Sequence, residues 1–169
     1  MTPTIIGRIG SMIQAMAEVV IPAIDGSEYL ARDQAGLVVA HLNMIRAQLP
    51  LADAFEQVEL DAALALGRAL VPLAAGGDKT MRARDRLANL LGADGLAGSR
   101  QDRCQSLNAA AEHLVRSSRI DGTPQAVSGI AAAVLQFGLA ASWRDRVWFN
   151  GSGFDAEQQF LPDRTTIVD

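Results

Sequence analysis

Apolar residues recur every three to four positions along most of the chain, and glycines and prolines cut that pattern into five to six amphipathic helices. Thr2-Pro3 reads as a cap followed by a first-turn proline, and Ile5, Ile9, Met12, Ile13, Met16, Val19 and Val20 then share one face. Pro22 should kink or end this helix, and Asp25-Gly26-Ser27-Glu28 supplies a turn with a capping box. A second helix over 27–49 carries the stripe Leu30, Leu37, Val38, His41, Met44, Ile45 and Leu49. Pro50 breaks the chain before a third helix, 51–73, striped by Leu51, Phe55, Val58, Ala62, Leu66, Ala69 and Leu73. A second apolar line through Leu60, Leu64 and Val71 makes this helix either central or shared with a partner chain.

The later elements are just as clearly punctuated. A shorter, charged helix spans 78–91, a loop spans 92–98, and Ser99 with Asp102 opens a helix to about residue 118. That helix turns Cys104, Leu107, Ala111, Leu114 and Val115 inward. Thr123-Pro124 starts a long helix to Trp148 that has no charged residue before Arg144. Its uncharged stretch is long enough to span a bilayer, but six alanines with Ser128, Gln136 and Ser142 make transfer into lipid weak. We therefore expect a buried central helix, with Gly129, Ala132, Ala133 and Ala140 allowing close approach of a neighbour. Asp155 is placed to cap one more turn, and the tail after Pro162 should be ragged.

Composition agrees with an all-α bundle. Ala and Leu (48 residues) outnumber Val and Ile (21) by more than two to one, and aromatics are 5%. The 169 residues fit one domain, over 1–150, with 151–169 as a tail. A net charge of −4 gives no global attraction to nucleic acid or to an anionic membrane. One cysteine, Cys104, excludes an intramolecular disulfide, and the start has no leader-like pattern, so a reducing cytoplasm is the expectation. Fourteen arginines against one lysine, with much Ala and Gly, point by association to a GC-rich bacterial genome.

Common catalytic templates fail. There is no phosphate-binding glycine loop, no His/Glu pair at metal-ligand spacing, and no nucleophile elbow, since Gly151-Ser152-Gly153 lacks a flanking strand and base. No cofactor or metal is expected. What remains is polarity in unusual places. Gln34 and His41, two turns apart in the second stripe, should point into the core, as either a satisfied core pair or an acid–base group with a substrate-orienting amide in an apolar pocket. His113 falls on a polar face. Lys79, Arg82 and Arg86, with Arg84, are either a solvated face among Asp78 and Asp85 or a clamp for phosphate or carboxylate. Trp143, Arg144, Arg146 and Trp148 are a helix plug, an interface anchor or a stacking site for a planar ligand.

Two functional expectations follow. The first is a homodimeric binding or accessory protein, with a protein partner or a small apolar ligand and neither nucleic acid nor membrane as target. The second is a cofactor-independent enzyme or small-molecule binder with a pocket lined by His41 and Gln34.

Overall fold

In the computed structural model, which describes residues 4–92, 97–151 and 157–168, 85% of the described residues are helical and none forms a strand. The all-α expectation holds. Six longer helices carry the chain: α1 (Ile5–Ala23), α2 (Tyr29–Gln48), α3 (Ala52–Leu70), α4 (Asp78–Leu91), α5 (Arg100–Asp121) and α6 (Pro124–Trp148). The chain divides into two compact units, residues 1–53 with 143–169, and residues 54–142.

In the first unit α1 packs against α2 as a helical hairpin. Thr4 caps α1, its Oγ1 accepting from the Gly7 N–H at 3.1 Å; the expected Thr2-Pro3 start lies outside the described residues. Pro22 does not break the helix. Its ring has no N–H to offer and crowds the carbonyl one turn back. A wider π turn over Met16–Val20, closed by the Ile21 N–H on the Met16 carbonyl, precedes it and carries the helix through to Ala23. In the following turn Asp25 Oδ1 accepts from the Ser27 N–H at 2.8 Å and from Ser27 Oγ at 2.6 Å. This local Asx turn replaces the expected capping box, and no side chain caps α2.

The hairpin buries little. Of the expected α1 stripe only Ile9 is buried, and of the α2 stripe only Met44, joined by Ala35. Ile5, Met12, Val19, Leu30, Leu37, Val38 and Ile45 are exposed. Two helices that meet side by side shield a narrow line of contact, so much of a stripe about 100° wide stays open on both.

The second unit holds the well-filled core. Leu60 and Leu70 of α3, Leu87 of α4, Leu107 and Leu114 of α5 and Ile130 of α6 are each 2% exposed or less. Each such side chain contributes roughly 2 kcal/mol through burial. Ala63, Ala83, Ala110 and Ala111 lie among them and let the helices approach closely. The deepest line of α3 is Leu60, Ala63, Gly67 and Leu70, while the expected main stripe through Phe55, Ala62 and Ala69 is half-buried. Leu64, Leu66 and Val71 pack against the same core, which makes α3 the central helix of this unit. Pro50 and Pro72 sit in single 3₁₀ turns, Leu49–Leu51 and Val71–Leu73, so Pro50 tightens the chain rather than breaking it.

α4 spans the expected residues, and Ser99 with Asp102 forms the expected capping box at the start of α5. Thr123 Oγ1 accepts from the Ala126 N–H at 3.2 Å and caps α6. The burial expected of α6 is corrected. Only 11% of its most apolar window is buried, and Leu135 and Leu139 are 69% and 75% exposed. Ala126 and Ile130 are covered and Gly129 lies against Leu73, so the small residues near its start do allow close packing. The tail after Pro162 is ordered, with Asp163 capping a 3₁₀ turn over Arg164–Ile167. The 92–98 loop, the Gly151-Ser152-Gly153 segment and the Asp155 cap lie wholly or partly outside the described residues.

Candidate functional site

The inward placement of Gln34 and His41 is corrected first. Gln34 is exposed and His41 is half-buried, flanked along α2 by the exposed Leu37, Val38 and Ile45. The stripe they belong to is an open apolar face. His113 is exposed, as its register implied.

The segment 143–150 belongs to the first unit and works as an anchor for the tail. Val147 and Trp148 are buried, while Trp143 and Phe149 are about half exposed. Arg164 Nε donates to the Trp148 carbonyl at 2.7 Å, and Arg164 Nη2 donates to the Asn150 carbonyl. Gln48 Nε2 donates to the same Trp148 carbonyl at 2.9 Å. The last carbonyls of a helix have no partner within it, and a cation there is also favoured by the helix dipole. Burial lowers the Arg164 guanidinium from its usual value, opposed by the neighbouring Asp163 carboxylate. Arg146 pairs with Glu157 at 2.9 Å and lies 5.9 Å from the centre of the Trp143 ring, while Arg144 is half-buried on the same turn of helix. This helix end thus fastens the tail through Arg164.

The basic residues of α4 separate. The backbone N–H of Lys79 donates to Asp121 Oδ2 at 2.8 Å, at the start of the helix. Arg82 and Arg86 instead line an open cleft of about 420 Å³ with Asp85, Asn89 and Leu90. A second cleft, of about 400 Å³, shares Arg86 and Leu90 and extends to Asp102, Gln105, Ser106 and Ala109 of α5. Arg84 lies outside both and is paired with Asp85 at 2.6 Å. The contribution of α5 was not legible from the sequence, because a lone Gln-Ser pair on a polar helix face carries no signal until its neighbour is known.

A third cleft, of about 270 Å³, is lined by Phe55, Glu56, Glu59, Arg100 and Cys104 among others. Cys104 Sγ lies 3.8 Å from the Glu59 carbonyl, and Arg100 Nε donates to Gln57 Oε1 at 3.0 Å. Among the described residues no three His, Cys, Asp or Glu side chains are grouped to hold a metal ion. Comparison with family models, with curated proteins and with solved structures found no match to this chain.

Proposed function

We propose that the protein is a cytoplasmic homodimeric accessory module that associates through the α1–α2 hairpin. The observation that carries this reading is the exposure of an apolar face on both helices of a hairpin that buries only Ile9, Ala35 and Met44. A two-helix layer with so small a core needs a second layer, and the same hairpin from another copy supplies one with matching chemistry, as in a four-helix bundle. The two apolar sides of α3 are not available to a partner, since that helix uses both within its own unit.

Sedimentation equilibrium tests the reading. At micromolar concentration the expected mass is about twice the 17.9 kDa of the chain. Leu37→Glu with Ile45→Glu, both on the open face of α2, should give a monomer with unchanged helicity. A wild-type monomer overturns the proposal.

A membrane-associated reading draws on one observation. α1 and α6 are both long and apolar enough to cross a bilayer, and both are mostly uncovered in the single chain. The open faces are mixed, however, with exposed Arg8 and Glu18 on α1 and exposed Ser128 and Gln136 on α6. Co-flotation of the purified chain with neutral phosphatidylcholine vesicles would favour this reading over the dimer.

A further inference from the structure

We infer that the paired clefts between α4 and α5 form a binding site for a phosphate monoester. The argument starts from which polar groups there are already engaged. Asp85 is held by Arg84, at 2.9 Å from Nε and 2.6 Å from Nη2. Asp102 accepts from the Ser99 N–H at 3.0 Å and from Ser99 Oγ at 2.7 Å, and these bonds lower its carboxyl below the usual range. Both carboxylates of the clefts are therefore committed to neighbours.

The donors are not. Arg86, which lines both clefts, has no ion-pair or side-chain hydrogen-bond partner among the described residues, and the same holds for the side chains of Asn89, Gln105 and Ser106. Arg82, one turn before Arg86, spends one bond of 3.2 Å on Asp78 in a pair more than four-fifths exposed, which solvent weakens to almost nothing. Two guanidiniums, two amides and a hydroxyl thus line two open clefts that share Arg86 and the half-buried Leu90.

That donor set selects the ligand. A carboxylate has two oxygens and one charge, which a single guanidinium saturates in a bidentate pair. A phosphate monoester carries three acceptor oxygens and close to two charges, which occupies both arginines and leaves oxygens for Gln105 and Ser106. Leu90, which lines both clefts, offers apolar contact to the organic body of the ester.

The test compares two probes that share a ring and differ in the anion. Phenyl phosphate and benzoate are titrated into the full chain at matched ionic strength, with amide and side-chain resonances of Asn89, Gln105 and Ser106 followed by NMR. Phenyl phosphate should give saturable shifts at these residues. Arg86→Gln should weaken that binding by about tenfold or more, and Arg82→Gln by less. Arg68→Gln, on α3 and outside the clefts, should leave it unchanged. All three arginines are partly or fully solvated, so folding is preserved. An equal response to benzoate overturns the assignment to phosphate. No saturable response, or one unaltered by Arg86→Gln, overturns the site.

Discussion

The hydroxyl of Thr80 donates to Asp121 Oδ1 at 2.6 Å, fastening the first turn of α4 to the last residue of α5. The same carboxylate accepts the N–H groups of Lys79 and Thr80, at 2.8 and 3.0 Å. α4 has no side-chain cap of its own, so a residue about forty positions away performs that duty. The Thr80 side-chain hydrogen bond is the largest cause holding the Asp121 carboxyl below its ordinary value, with desolvation opposing it and the two backbone donors assisting. A lowered carboxyl stabilises the fold fully above the unfolded value of 3.8 and loses that effect as pH falls through the lower folded value. Asp121→Asn should therefore lower Tm at pH 7. The gap from wild type should stay constant down to about pH 5 and close below 3.8. Thermal circular dichroism across that range checks it. Thr80→Val, which keeps the shape of a fully buried side chain, should cost about 1–2 kcal/mol.

Beside this clasp the backbones meet at two glycines. Gly76 and Gly122 form an isolated antiparallel bridge, and Gly76 has φ +151°. A Cβ on Gly76 would fall 2.4 Å from the Asp121 carbonyl oxygen and 2.5 Å from the Gly122 Cα. Both are backbone atoms and cannot swing aside, so Gly76→Ala should cost about 2 kcal/mol or more. Gly36 is the opposite case. It lies inside α2 with nothing within 4 Å of its Cβ position, and Gly36→Ala should gain about 0.5–1 kcal/mol through helix propensity. Urea denaturation of both variants would show opposite shifts of the midpoint.

These two features mark the limit of what the chain order reveals. Helix ends were legible because caps are local. Ser99 and Asp102 meet across one turn, and Thr123 precedes Pro124 where an N-cap is expected. The interior of α5 was legible too, since Leu107, Ala111 and Leu114 repeat with the helical period and do face inward. Periodicity failed where it was asked which stripe finds a partner. α1 and α2 carry stripes as regular as that of α5 and α6 is uncharged over most of its length, yet Leu37, Leu135 and Leu139 remain open. A stripe reports the wish to be covered and not the number of neighbours within reach. The polar placements failed for the same reason. The periodicity that places Gln34 and His41 inward holds only if their stripe is covered, and Gln105 and Ser106 line a cleft only because α4 packs beside them.

Gly67 gives a graded test of the α3–α4 contact. A Cβ there would lie 3.0 Å from Leu91 Cδ2 and 3.4 Å from Leu87 Cδ1, both ends of flexible side chains. The gain in helix propensity is offset by the displacement these leucines must make, so Gly67→Ala should change stability by less than about 1 kcal/mol. Leu87→Ala, at a side chain with no exposure, should instead cost about 2–5 kcal/mol by leaving a cavity. The contrast, read from urea midpoints, separates tolerance at the helix crossing from tolerance in the core itself.

The C-terminal tail should depend on one arginine. Arg164 gives two bonds to carbonyls at the end of α6, those of Trp148 and Asn150, while its neighbour Asp163 caps the 3₁₀ turn that holds it in place. Trp148 keeps its bond from Gln48 when Arg164 is removed, so the helix end is not left wholly bare. The Asn150 carbonyl loses the Arg164 donor. Hydrogen bonds from a charged donor are worth about 1.5–3 kcal/mol, and exposure of the vacated groups to water returns part of that. Arg164→Ala should therefore lower global stability by about 1–2 kcal/mol. Its local effect should be larger than its global one. Hydrogen exchange should accelerate across the Arg164–Ile167 turn, with α5 amides unchanged, because the Arg164 bonds act on the tail and the exposed Arg146–Glu157 pair offers little in their place. Arg164→Lys keeps the charge but not the forked geometry that reaches two carbonyls at once, so it should restore only part of the protection. Uniform loss of protection over the chain would show that Arg164 supports the whole fold and not the tail.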